Sequence, residues 1–188
     1  MEIVIIRHGK STVKTDGWVN ASKFGECAKD YDRCGVDENY LPSNEAIYRV
    51  SECAFTVCSD LERSLHSARL LGIVKPHLVC PTFRECEMPY ANWRFPKMPK
   101  SAWPLVFRIC QIVGYSPNAE SYKEALERSK KCVSLLKSLS REHGSVLYIG
   151  HGALSWLMHK QIIGNGWVGP KKSVRKNWEY TVYKYNET

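Results

Sequence analysis

The spacing of apolar positions changes along the chain, and these changes predict strands interleaved with helices. Short runs rich in apolar and β-branched residues predict five strands, at 2–6, 54–59, 77–83, 145–150 and 179–185. Stretches with apolar residues at helical spacing predict six helices, at 21–32, 43–51, 60–72, 103–113, 120–143 and 153–163. This alternation favours a three-layer α/β/α sandwich with a mostly parallel central sheet.

Residues 89–118 break both patterns, and five prolines fall within them, at 89, 96, 99, 104 and 117. We interpret the segment as a cap or substrate-specificity segment of one domain that spans residues 1–188. The helix inside it, 103–113, is apolar nearly all round. That character suits burial in the core, a homodimer contact or a membrane surface, and we favour the first two.

The composition is typical of an ordinary soluble globular protein, since 44% of the 188 residues are apolar and 24% are charged. We find no secretory signal and no apolar stretch long enough to span a membrane, so no membrane partner is expected. The eight cysteines form no C-x-x-C pair and no cluster with zinc spacing. We therefore expect reduced thiols, a cytoplasmic location, and no metal or other cofactor.

A net charge of +8 narrows the class of partner. Such an excess suits nucleic acid, an anionic membrane surface or a small phosphorylated substrate. The basic residues are densest near the C-terminus, at Lys171, Lys172, Arg175 and Lys176. Because no helix-turn-helix, RNP or zinc-finger pattern accompanies them, we do not expect nucleic acid and favour the phosphorylated substrate.

Residues with reactive side chains, some of them flanked by glycines, lie at the ends of four of the predicted strands. In chain order these strand-end residues are Arg7, His8 and Gly9; Ser59 and Asp60, with Arg63 one helical turn on; Arg84 and Glu85; and Gly150, His151 and Gly152. Ligands of open α/β sheets bind outside the carboxyl ends of the strands. The sequence therefore predicts that two histidines, several arginines and a glutamate meet at one edge of the sheet.

This set of residue types suits phosphoryl transfer. Guanidinium groups match phosphate oxygens with two parallel hydrogen bonds. A neutral imidazole can attack phosphorus, and a second imidazole can donate hydrogen bonds to the transferring group. A carboxylic acid can protonate the departing oxygen. Since side chains supply the positive charge, the chemistry needs no metal ion.

Four motifs resemble the histidine phosphatase superfamily, also called the phosphoglycerate mutase-like family. They are R-H-G-K-S at 7–11, S-D-L-E-R-S at 59–64, F-R-E at 83–85 and G-H-G at 150–152. The resemblance implies a phosphoglycerate mutase-like fold and a phosphohistidine mechanism. His8 would be the nucleophile, Arg7, Arg63 and His151 would bind the phosphate, and Glu85 would be the proton donor and later the base that activates water.

The resemblance implies three further residues less directly. Glu87 is the second candidate for the acid, although Glu85 matches the position of the carboxylate in the family's pattern. Ser11 falls where the family often has a polar residue near the phosphate, and Asn20 is expected nearby. Ser11 would then help to bind the phosphate.

We expect the segment 89–118 to determine which substrate binds. Its polar and aromatic candidates include Tyr90 and Arg94, with Lys97 as an alternative to Arg94. We expect one of the two cations to contact the part of an anionic substrate that is not transferred.

The sequence is more similar to the compact phosphatase branch of the family than to the mutases. Lys10 stands where mutases usually carry Glu or Gln, and the segment after Glu85 is shorter than a typical mutase insertion. Hydrolysis of phosphate monoesters is therefore the favoured activity. A mutase-type transfer and an inactive phosphate-binding module remain as alternatives.

Overall fold

Eight strands and six helices alternate along residues 1–186, the part of the chain that the computed structural model describes. The strands are β1 (Glu2–Arg7), β2 (Trp18–Val19), β3 (Phe55–Cys58), β4 (Leu78–Val79), β5 (Met98–Pro99), β6 (Ser145–Gly150), β7 (Trp167–Val168) and β8 (Tyr180–Tyr185). The helices are α1 (Ala21–Arg33), α2 (Asn44–Ser51), α3 (Glu62–Leu70), α4 (Trp103–Ile112), α5 (Tyr122–His143) and α6 (Gly152–Ile162).

Six of the strands form one sheet in the order β4-β3-β6-β1-β8-β7. The first four of these run parallel, β8 pairs antiparallel with β1, and β7 pairs antiparallel with β8. The carboxyl ends of β3, β6 and β1 therefore lie side by side at one edge. This confirms the mostly parallel sheet and the meeting of the motif-bearing strand ends.

Helices cover both faces of the sheet, because side chains alternate along each buried strand. Ile3 and Ile5 of β1 belong to an apolar cluster with residues of α5 and α6. Val4 and Ile6 face the opposite way and pack with residues of α2 and α3. The three-layer arrangement predicted from the sequence is confirmed.

A third apolar cluster joins the segment 89–118 to α1. Phe24 of α1 stacks on Trp103 and Phe107 of α4, with ring centroids 6.2 and 5.7 Å away. The two-residue strands β2 and β5 pair in a small antiparallel ribbon that ties the loop after β1 to the same segment.

One prediction about an element needs correction. The third predicted strand, 77–83, is only Leu78–Val79, followed by a 3-10 turn at Pro81–Phe83, because Pro81 has no N–H for a strand ladder. Helix α4 buries its inner side, including Phe107, whereas Leu105, Ile109 and Ile112 are exposed on its outer side. The short strands β2, β5 and β7 were not predicted, because two-residue strands leave no pattern.

Within residues 1–186, no helix is both long and apolar enough to cross a bilayer. All eight cysteines are free thiols.

Candidate active site

The register of β1 against β6 brings the two motif histidines together. Arg7 lies opposite Gly150 in the parallel ladder, and the backbone N–H of His8 donates to the Gly150 carbonyl at 2.9 Å. The next residue of each strand end is a histidine, and the His8 and His151 ring centroids are 5.2 Å apart. Two positions 143 residues apart in the chain thus form one site because the strands align residue by residue.

His8 is held as a neutral imidazole with one nitrogen available. Its side chain is 1% exposed, and Nδ1 lies 2.7 Å from the carbonyl oxygen of Gly9. An oxygen acceptor at this distance assigns the proton to Nδ1 and leaves the lone pair on Nε2. Burial, reinforced by the positive charge of Arg63, lowers the pKa of His8 to about 4.

Gly9 is needed for a close approach. A Cβ atom there would lie 2.4 Å from the ring of Trp178, which packs over the turn after β1. The backbone N–H of Gly9 donates to Ser67 Oγ at 2.9 Å. The side chain of Asn177 donates to the carbonyl oxygens of both His8 and Gly9, at 2.9 and 3.1 Å. The turn that presents His8 is therefore held from α3 and from the segment before β8.

Arg7 and Arg63 each present a buried Nε that has no hydrogen-bond partner in the described structure. NH1 of Arg7 donates to the carbonyl oxygen of Arg175. NH1 of Arg63 donates to the Tyr31 carbonyl and to Asp32 Oδ1, both at 3.1 Å. Each guanidinium is thus anchored through one nitrogen and keeps an unused donor beside the histidines, as a phosphate site requires.

His151 follows β6 and is also neutral. Its Nε2 lies 2.6 Å from Ser59 Oγ at the end of β3, while Nδ1 is buried without a partner. Burial first, and then the positive charge of Arg63, lower the pKa of His151 well below its usual value.

Glu85 lies against the N-terminus of α6. Its carboxylate accepts hydrogen bonds from the backbone N–H groups of Ala153, Leu154 and Cys86, at 3.2, 3.0 and 2.9 Å. Burial favours the protonated acid, but the charge of Arg108 and the helix-end N–H groups outweigh it and lower the pKa of Glu85. In the free protein this side chain is a carboxylate.

A cavity of about 830 Å³ opens beside these groups, and Arg7, Arg63 and Glu85 are part of its wall. Eight cationic and four acidic side chains line it. The cations are Arg7, Lys14, Arg33, Arg63, Arg84, Lys100, Arg108 and Arg128, and the acids are Asp32, Glu85, Glu87 and Glu120. The excess of positive charge suits an anionic ligand.

Three residues proposed from the sequence accept hydrogen bonds from nearby backbone N–H groups. Asn20 caps α1, with Oδ1 accepting from the Lys23 N–H at 2.9 Å. Ser11 bridges to Val36, and its hydroxyl accepts from the Val13 N–H. Glu87 lines the cavity, but its carboxylate accepts from the Glu120 N–H at 2.6 Å.

Tyr90 and Arg94 are not among the residues that line the cavity. Tyr90 packs on Gly25 of α1, with Lys29 over its ring. Arg94 is exposed. Cations that line the cavity outside the predicted motifs include Lys14 in the loop after β1, Arg33 at the end of α1 and Lys100 after β5.

Sequence reasoning missed Tyr31, Asp32 and Asn177. The fold brings the first two into contact with Arg63, and it brings Asn177 into contact with the turn after β1. None of them follows a strand directly, so the rule about strand ends does not select them.

A sequence model of the histidine phosphatase superfamily (branch 1) matches residues 44–188. The chain belongs to this superfamily. The match includes Arg63, Glu85 and His151, and it begins after the first strand and its R-H-G motif. A search of curated proteins found no match to the chain.

Solved structures show the same fold over the whole chain, the first strand included. A mycobacterial glucosyl-3-phosphoglycerate phosphatase in complex with VO3 has a TM-score of 0.62 at 16% identity, over 98% of this chain and 96% of that chain. The alpha-ribazole phosphatase of Shigella flexneri has a TM-score of 0.58 at 17% identity, over 100% of this chain and 92% of that chain. At such identities the likeness concerns the fold.

Proposed function

We propose that the protein is a metal-independent phosphatase that hydrolyses phosphate monoesters through a phosphohistidine on His8. The observation that carries the proposal is the neutral His8, whose Nε2 is available beside the unpartnered Nε groups of Arg7 and Arg63. The proposed nucleophile and the two guanidinium groups that would bind the phosphate are thus neighbours. Membership in the superfamily and the two phosphatases of like fold support this chemistry.

In the first step, Nε2 of His8 attacks phosphorus as the bond from phosphorus to the ester oxygen breaks. Arg7, Arg63 and His151 bind the other phosphate oxygens, and Glu85, protonated in the complex, gives its proton to the leaving oxygen. The Gly9 carbonyl, by accepting from Nδ1–H, stabilises the positive charge that develops on the imidazole.

In the second step, water attacks the phosphohistidine and Glu85 takes one of its protons. The P–N bond breaks, its electron pair returns to His8, and phosphate leaves. Positive side chains supply the charge stabilisation throughout. This is the reason that we propose no metal requirement.

Hydrolysis is proposed over mutase-type transfer because of Lys10 after the R-H-G motif and the moderate length of the segment after Glu85. We propose a small phosphorylated substrate whose non-transferred part lies against three of the cations that line the cavity, Lys14, Arg33 and Lys100. Tyr90 and Arg94 would be reached by a substrate that extends beyond the cavity. Eight free thiols suit a reducing compartment, and we propose the cytoplasm.

The test is hydrolysis of an aryl phosphate in the presence of EDTA by the native chain, His8→Ala and His143→Ala. His143 ends α5 at the opposite edge of the sheet and is the matched control. We expect turnover by the native chain and the control, and a loss of roughly a thousandfold or more in His8→Ala, because no other group can replace the nucleophile.

Three results would contradict the proposal. Turnover that survives in His8→Ala would exclude the phosphohistidine, and turnover that EDTA abolishes would exclude metal independence. A native chain that binds phosphate but hydrolyses no ester would favour the inactive binding module.

A further inference from the structure

Asp32 lies on α1, outside the motifs, yet its carboxylate reaches the phosphate site. Oδ1 accepts from NH1 of Arg63 at 3.1 Å, and the Tyr31 carbonyl accepts from the same nitrogen at 3.1 Å. The side chain of Arg63 is 1% exposed, whereas that of Asp32 is 58% exposed. A partly solvated carboxylate thus holds a fully buried guanidinium.

These two bonds determine the orientation of the guanidinium. The group is planar and carries five N–H donors in a rigid arrangement, and both hydrogens of NH1 now have acceptors. The ring of Tyr31, whose centroid is 4.5 Å from Arg63 Cζ, fixes the plane from one side. With one nitrogen and the plane fixed, the direction of the unpartnered Nε–H is fixed as well.

The end of α1 also balances the buried charge. Tyr31 lies in the last turn of the helix, where carbonyl groups lack intrahelical partners and the helix dipole is negative. Asp32 adds a full negative charge behind a cation that has Arg7 as a neighbour in the same cavity wall. A buried cation without such partners would be strongly unfavourable.

We infer that Asp32 is a positioning residue of the phosphate site: it holds NH1 of Arg63 so that Nε–H of the same guanidinium points at the bound anion. The inference rests on the proposed function, since the anion is the phosphoryl group of the substrate. Asp32 acts through Arg63 and does not touch the transferred group. An amide at this position can still accept from NH1, whereas a methyl group cannot.

The first experiment measures the binding of orthovanadate by titration calorimetry. We expect Asp32→Ala to weaken the binding about tenfold, the effect of one charge-assisted hydrogen bond, and Asp32→Asn to recover most of that loss. Asp30→Ala is the matched control, because Asp30 is exposed on the same helix and does not line the cavity. Thermal unfolding of each variant shows that it is folded before it is titrated.

The second experiment is a double-mutant cycle with Arg63→Lys, which removes the planar fork. If Asp32 acts through the guanidinium, Asp32→Ala should change the affinity less than about twofold in the Arg63→Lys background. A purely structural role of Asp32 would instead lower thermal stability in both backgrounds and leave the coupling near zero.

The outcomes separate this inference from the proposed function. Unchanged orthovanadate binding in Asp32→Ala, or additive effects in the cycle, would overturn the inference alone. Coupled binding without ester hydrolysis by the native chain would support the inference for a phosphate site while rejecting the phosphatase. No binding by the native chain would reject both.

Discussion

The reactivity of His8 comes from its surroundings. Burial and the neighbouring Arg63 keep the imidazole neutral, and the Gly9 carbonyl holds the proton on Nδ1. The same burial makes the site sensitive to acid, because a neutral buried histidine resists protonation while the unfolded chain does not. Stability and nucleophilicity at this residue therefore share one cause.

The first prediction concerns this acid sensitivity. The pKa of His8 is about 4 in the folded chain and near 6.5 in the unfolded chain, so the unfolded chain binds the extra proton between these values. The stability that His8 contributes is fully present above pH 6.5 and is lost as the pH falls towards 4, by up to about 3 kcal/mol. Urea unfolding of the native chain and of His8→Asn at both ends of this range measures it. An equal pH dependence of the two proteins would contradict the prediction.

Glu85 presents the opposite case, a proposed acid that is ionised in the free protein. Helix-end N–H groups and Arg108 stabilise its carboxylate against the effect of burial. A phosphate dianion placed beside it would raise its pKa again, since like charges disfavour ionisation. The proton needed for the leaving group would then be acquired when substrate binds.

We therefore predict that anion binding takes up protons. Calorimetric titration with sulfate, a dianion at about pH 6, in two buffers of different ionisation enthalpy should reveal an uptake of roughly one proton. Glu85→Gln should lose most of this uptake and Glu87→Gln should keep it, because the Glu87 carboxylate is engaged by the Glu120 N–H. Equal uptake in Glu85→Gln and the native chain would assign the proton to another group.

At the scale of elements, the site is built from helix and strand ends. The carboxyl ends of β1 and β6 place the two histidines, the C-terminus of α1 holds Arg63, and the N-terminus of α6 holds Glu85. The C-terminus of a helix carries free carbonyl groups that stabilise a cation, and the N-terminus carries free N–H groups that stabilise an anion. The middle parts of the same elements form the core.

Helix α5 illustrates an element whose end serves stability alone. Ser121 caps it, accepting from the Glu124 N–H, while the Glu124 carboxylate accepts from the Ser121 N–H. We expect Ser121→Ala to cost about 1 kcal/mol and to lower the Tm by roughly 2–4 °C, with hydrolysis unchanged. Ser134→Ala is the control, an exposed serine inside the same helix. Calorimetry that finds equal Tm values for the two variants would contradict the prediction.

For the whole molecule, the cavity and the outer face of α4 point to two kinds of contact. The cavity is lined by more cationic than acidic side chains, and we propose that the substrate binds there. The outer face of α4 carries Leu105, Ile109 and Ile112, which are 67%, 54% and 58% exposed. These residues recur at helical spacing and form an apolar stripe. Exposure of such a stripe to water is unfavourable in free energy, so it is a candidate for a protein contact. A homodimer contact through this stripe stays our prediction from the sequence.

Self-association through the apolar stripe can be tested by one substitution that places a charge in it. We expect sedimentation to detect a dimer of the native chain, and Ile109→Lys to shift it to the monomer, because a lysine in the middle of the stripe would be desolvated on association. Val74→Lys is the control, since Val74 is 91% exposed outside this helix. If the native chain sediments as a monomer at all concentrations, the homodimer prediction is wrong.

Much of the architecture could be predicted from the sequence because it depends on local patterns. Runs such as that of β1 and the spacing of apolar residues in α5 indicate strand and helix directly. Weak patterns failed: 77–83 contains a proline that ends the strand early, and the ribbon strands are too short to leave a signal. The outward stripe of α4 could not be distinguished from a core face, because both are apolar.

The sequence by itself determined which residues follow the predicted parallel strands, since apolar runs and the side chains after them can be identified along the chain. From this we predicted that His8, Arg63, Glu85 and His151 lie at one edge of the sheet. Only the tertiary structure decided their state. The pKa of His8 depends on burial, the direction of Arg63 depends on Asp32, and the charge of Glu85 depends on a helix end 68 residues away. Electrostatic energies depend on distances in space, and no pattern along the chain carries those distances.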